Sequence, residues 1–195
     1  MAPPTALRLT LFATADCKWR DIRDPYVQVA NDHLRPHGLV LDLFPEDAGS
    51  QPIMLNPQGA LMIQDDYLRV RNLAHQALPN GDGRVPVIFC CMNGENGGTV
   101  PPGTGGSTWL PFVLLNTDNH TWHEETLLHE LVHAAGYAGT AGDHTHDTDG
   151  GSVMFWADPL RPGYVGPVLP RALTTKHATA LRTSYFAGLN TRKLS

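Results

Sequence analysis

The sequence predicts an α/β (α+β) fold in one domain, a mixed twisted sheet with backing helices. Three observations predict it. The chain opens on a strand–helix–strand pattern within residues 6–44. Two further apolar runs of strand length follow at 85–92 and 109–116. With 19 glycines and 16 prolines in 195 residues, the chain must be rich in loops, which excludes a helical bundle. At that length it is long enough to bury a substantial core as a single unit.

Residues 6–13 alternate apolar and polar and read as a first strand. Asp24-Pro25 opens a helix through Leu34, because aspartate caps and proline fits a first turn. Residues 39–44 form a second strand closed by Pro45, giving a parallel βαβ start. Residues 45–64 read as loop, with a short strand near 61–63. A second helix is expected over 65–78, with Leu68, Leu73, Ala74 and Ala77 among its inner positions. The dense apolar run 85–92 reads as a central strand. A glycine-rich loop follows; with no lysine before Ser107-Thr108 it does not match a P-loop. Residues 109–116 are another strand, leading into a helix that starts near Trp122, with Thr121 and Glu124 as a capping box. Residues 171–187 read as a final helix, with Leu173, His177, Leu181 and Tyr185 at four-residue spacing and Gly188 as its stop. His177 is expected to be a packed or surface histidine.

Composition narrows the function. A net charge of −5 and the lack of a basic run argue against nucleic acid as a partner. No apolar stretch reaches the length of a membrane span. The N-terminus lacks a basic start followed by an apolar core, so no secretory signal is expected. Cys17, Cys90 and Cys91 make neither a disulfide framework nor a C-x-x-C metal site. Cys90 and Cys91 are expected to be buried thiols.

The chemistry is concentrated in His129-Glu130-Leu131-Val132-His133-Ala134-Ala135-Gly136. On a helix, residues four apart share a face and lie about 6 Å apart along the axis. His129 and His133 can therefore reach one metal ion. Zinc suits them, since it accepts imidazole nitrogen and lowers the pKa of a bound water to about 7. Glu130 is placed to take the proton as that water attacks a carbonyl. An amphipathic helix with two surface histidines would show the same spacing. Leu127, Leu128, Leu131 and Val132 supply a separate buried side, however, so the histidines are not needed in the core. Gly136 can end the helix and turn the chain back toward the metal.

A catalytic zinc takes three protein ligands and keeps one position open. The returning segment 137–147 supplies His144 as the first choice for the third ligand, with His146 and Asp143 as alternatives. Asp147 and Asp149 read as surface or turn residues. No EF-hand spacing supports a calcium site in this run.

Gly151-Ser152-Val153-Met154 follows. A glycine-terminated H-E-x-x-H helix followed by a short S-x-M segment resembles the metzincin family of zinc metallopeptidases. The specific motifs span residues 129–154; the order of elements extends the likeness over most of the chain. The resemblance implies hydrolysis of peptide bonds by zinc-activated water, with Glu130 as general base and His129, His133 and His144 as ligands. It implies a methionine turn at Met154 beneath the metal. It also implies an extended polypeptide substrate laid along an edge strand, within 96–109. The third family histidine normally falls three residues after the glycine, at Gly139, so the loop here is extended by five residues to His144. Some members carry a tyrosine two residues past the methionine; here that position is Trp156, with Tyr164 as a substitute. Two other functions share this metal centre: hydrolysis of a non-protein amide, and a non-catalytic binding module stabilised by zinc.

Overall fold

The computed structural model describes residues 3–15, 17–46, 50–55, 64–77, 83–92, 97–100, 110–118, 125–155 and 170–189. Within them the sheet is assembled around β1, Thr5–Thr14, and includes β2 (Leu39–Phe44), β3 (Ile53–Leu55), β4 (Val85–Cys90), β5 (Gly97–Val100), β6 (Phe112–Asn116) and β7 (Ala187–Leu189). The order is β2-β1-β4-β6-β5, with β3 and β7 also paired to β1. β1 is long enough to carry two partners along each edge. On one edge Thr5–Thr10 pairs β2 and Phe12–Thr14 pairs β3; on the other Thr5–Leu7 pairs β7 and Leu9–Ala13 pairs β4. β2, β3 and β4 pair parallel with β1 and β6 pairs parallel with β4, while β5 pairs antiparallel with β6 and β7 antiparallel with β1. The sheet is therefore mixed, as the sequence predicts.

Strand periodicity sorts the core into two layers. Leu7, Leu9, Leu11, Val85, Val87, Phe89, Val113 and Leu115 face the helices α1 (Trp19–Leu34), α3 (Thr126–Ala134) and α4 (Thr175–Thr183). Phe12, Ile88, Cys90, Phe112 and Leu114 face the opposite side, where α2 (Gln64–Ala77) contributes Val70 and Ala74. All six residues of β4 are buried, which is the position expected of a central strand. The three cysteines are unbridged, and Cys90 and Cys91 are buried.

Four elements depart from the sequence reading. α1 begins at Trp19, five residues before Asp24, and Pro25 lies inside it. Its buried stripe, Trp19, Ile22, Tyr26, Ala30 and Leu34, starts upstream of the proline and overrides it. Pro25 is on the solvent side, where water can satisfy the carbonyl of Asp21 that loses its partner. The short strand falls at Ile53–Leu55, and residues 61–63 lie outside the described residues. In α2, Ala77 is exposed rather than inward, while Ala74 is fully buried as expected and Val70 is buried with it; the Leu68 side chain lies outside those described. α4 covers only Thr175–Thr183, because Ser184 is already extended. Gly188 does not end a helix; it sits in β7 and pairs with Ala6.

Candidate metal centre

α3 follows β6 and is buried almost all round. Leu127, Leu128, Leu131 and Val132 are fully buried, as their spacing predicts, and Glu130 is 6 % exposed. His129 and His133 are half-buried on the remaining stripe. The expected cap residues Thr121 and Glu124 lie outside the described residues.

The helix stops at Gly136 through its backbone. Gly136 has φ 74°, its N–H donates to His133 O at 2.8 Å, and Tyr137 N–H donates to Val132 O at 3.3 Å. These are the two closing bonds of a Schellman motif. The chain then turns back across the helix end. Gly139 N–H donates to His144 O, His144 N–H to Ala141 O and Ala141 N–H to His146 O. The loop between Gly139 and His146 is thus cinched at its base.

His146, not His144, joins the helix pair. One nitrogen from each of His129, His133 and His146 lies within 4.8 Å of the other two. His133 Nε2 stands 3.0 Å from His129 Nε2 and 3.2 Å from His146 Nε2. Nitrogens sharing one tetrahedral zinc, with bonds of about 2.0–2.1 Å, stand about 3.3 Å apart, so the set fits that ion. His144 takes the left-handed turn at φ 59° and is exposed, so its backbone is committed to the tip of the loop. Asp143 supports His146 instead of belonging to the group. Its Oδ2 lies 2.7 Å from His146 Nδ1, and its Oδ1 accepts from the N–H groups of Thr145 and His146. Burial alone would raise this carboxyl, but those backbone and ring bonds together hold it well below the usual carboxylate range.

The ring orientations leave nitrogens facing the shared point. His129 Nδ1–H donates to Val153 O at 2.7 Å, which turns its Nε2 lone pair toward His133. The Asp143–His146 bond does the same for His146. Burial pushes His129 down to about 4 and His133 down to about 3. Both rings are therefore neutral at pH 7, the form that binds a metal.

Behind the histidines, Met154 is fully buried with Val153 in the main core. Asp147, expected at the surface, is 7 % exposed and ties this segment together. It accepts from Tyr137 Oη at 2.8 Å, Ser152 Oγ at 2.7 Å and His177 Nε2 at 2.9 Å, and its N–H donates to Met154 O. Burial, with the Asp147 bond, pushes the Tyr137 phenol up to about 12. Asp149 is a turn residue as expected, accepting from Gly151 N–H. His177 is fully packed and caps α4 with Thr174. Trp156 and Tyr164 lie outside the described residues.

Glu130 meets the edge of the sheet. Thr99 Oγ1 donates to Glu130 Oε2 at 2.7 Å and lies 2.9 Å from Glu130 O. Sequence patterns gave no sign of Thr99, whose contact comes from distant chain. The Asp143–His146 link did have a local signal, an aspartate three residues before a histidine in a turn. Compared with models of known protein families and with curated proteins, the chain matches none.

Proposed function

We propose that this chain is a zinc-dependent hydrolase of peptide bonds, with His129, His133 and His146 as metal ligands and Glu130 as general base. The convergence of three imidazoles on one point carries this reading. Bound zinc would supply Lewis acidity toward a carbonyl and make a water more acidic. Among the described residues three ligands converge, and a three-ligand site favours a catalytic over a structural ion. Glu130 directly follows His129 on α3 and is held by Thr99, so its carboxylate is oriented before substrate arrives. It takes a proton from the attacking water and returns it to the leaving amine.

The edge strand supports a polypeptide as substrate. Among the described residues β5 is last in the sheet order, and it lies against the same helix turn as Glu130. An extended peptide can add to such an edge through its backbone. The metzincin likeness of the H-E-x-x-H helix and S-x-M segment agrees with this chemistry. The test is Glu130→Gln in the zinc-loaded chain, assayed on denatured proteins, a peptide library and small amides. The variant should keep stoichiometric zinc and lose turnover by about a hundredfold or more. Undiminished hydrolysis by that variant refutes the assigned base. Turnover of small amides alone would transfer the centre to a non-protein substrate.

A further inference from the structure

The base and the edge strand are joined at two points. Gly97 has no room for a side chain: a Cβ there would lie 2.9 Å from Thr126 Cγ2, 3.0 Å from Leu114 O and 3.3 Å from Glu130 Cγ. β5 therefore rests directly on α3 beside the Glu130 stem. Two residues along, on the same face of the strand, the Thr99 hydroxyl reaches the Glu130 carboxylate. The same hydroxyl lies within bonding distance of Glu130 O, so one proton is shared between the side chain and the helix backbone. That geometry restricts both the carboxylate torsion and its distance from the strand. Thr99 itself is paired opposite Val113 of β6, so the sheet holds the donor in place.

We propose that Thr99 is a positioning residue for Glu130, fixing the carboxylate relative to the strand along which substrate would lie. This rests on the hydrolase reading. A threonine suits the task because its branched Cβ favours extended backbone while its hydroxyl provides the donor. Loss of the hydroxyl leaves the strand intact but lets the carboxylate rotate. The consequence falls on the chemical step more than on substrate or metal binding.

The experiment compares Thr99→Val, of nearly equal shape, and Thr99→Ser, which restores the donor. Zinc-loaded chains are assayed for kcat and KM on a peptide, and zinc affinity is measured by competition with a chelator. Thr99→Val should lower kcat about tenfold or more, the size of a hydrogen bond to a charged group, with KM and zinc affinity within about threefold. Thr99→Ser should recover most of the loss. Equal kcat in Thr99→Val, or an equal loss in Thr99→Ser, overturns the proposal. A readout independent of turnover uses metal-free protein. The Glu130 carboxylate stretch, isolated as the infrared difference between wild type and Glu130→Gln, should move in Thr99→Val and return in Thr99→Ser. An unmoved stretch overturns the proposal whatever the activity. If the stretch moves but the wild type hydrolyses nothing, the hydrolase reading fails and the role of Thr99 in turnover fails with it.

Discussion

Gly139 and His146 lie back to back: a Cβ built on Gly139 would collide with the N, C and O atoms of His146. The close approach accounts for the long loop before the third histidine. The six residues between them are pinched off by the bonds from Gly139 to His144 and from Ala141 to His146. His146 is thereby delivered beside His129 and His133. Gly139→Ala should therefore be costly, about 3 kcal/mol, because the obstacle is backbone and cannot rotate aside. It should also weaken zinc binding by displacing His146. Gly136→Ala is the control. Its Cβ would meet nothing within 4 Å, so only the strain of φ 74° remains, about 1 kcal/mol. Urea denaturation and chelator competition on both variants check the contrast. Equal effects on zinc would remove the special role of the Gly139 contact.

The choice between the two loop histidines can be measured directly. His146→Ala should weaken zinc by more than the ten- to hundredfold typical of a lost outer-shell partner, while His144→Ala should change it by about twofold or less. Asp143→Ala should lie between them, about tenfold weaker, because it removes the carboxylate that orients the His146 ring. Isothermal titration with zinc at pH 7 gives the order. A strong loss in His144→Ala would restore it as the ligand.

These residues also show what sequence could and could not reveal. The pairing of His129 with His133 is local, since helix geometry alone puts positions four apart on one face. Gly136 is local too, because the left-handed end needs only its own φ. The third histidine is not local: His146, whose backbone packs against Gly139, joins the pair while His144 takes the loop tip, a close approach that no spacing rule encodes. The same holds for β7. Ala187-Gly188-Leu189 carries little strand signal, and it pairs because β4 begins at Leu9 on β1 and leaves Thr5–Leu7 available. In α1, the proline rule competed with a longer apolar stripe, and burial of Trp19 and Ile22 won. Asp147 looked like a loop aspartate because its donors Tyr137, Ser152 and His177 are brought to it by the fold rather than by a local spacing.

The Asp147 network predicts an unusually large effect for one atom exchanged. His177 Nδ1 accepts from Thr174 N–H, so its proton is on Nε2 and points at Asp147 Oδ2. Tyr137 and Ser152 hydroxyls donate to the same carboxylate. Asp147→Asn replaces one acceptor oxygen with a donor and turns a satisfied contact into an opposed one. The loss should be about 3 kcal/mol, near that for breaking a buried charged network. Thermal denaturation of metal-free chains would check it. His177→Gln should cost less, because the capping hydroxyl of Thr174 remains. A change in Asp147→Asn no larger than about 0.5 kcal/mol, as at an ordinary surface site, would contradict this network.

Stability without metal should fall early on acidification, and the histidines set the window. In the unfolded chain His129 and His133 take up protons near pH 6.5; in the fold, burial holds them back to about 4 and about 3. Between those limits the unfolded state carries more protons, so unfolding free energy rises with pH. The fold bears no such penalty above pH 6.5 and loses stability as pH drops below it, by up to about 1.4 kcal/mol per unit for each proton. Asp143 and Asp147, both held below the ordinary carboxylate value of 3.8, add their loss only at lower pH. The decline between pH 6.5 and about 4 therefore belongs to the imidazoles. Urea midpoints of the metal-free chain, taken from pH 8 to pH 4, should trace that decline, and the double variant His129→Gln, His133→Gln should make it shallower, leaving the share of buried His177, which is also held below 6.5. Because both rings are already neutral in the fold above about pH 4, saturating metal should raise stability in this window without adding to their share of the slope. A double variant with an unchanged profile would mean that these two rings do not titrate with unfolding.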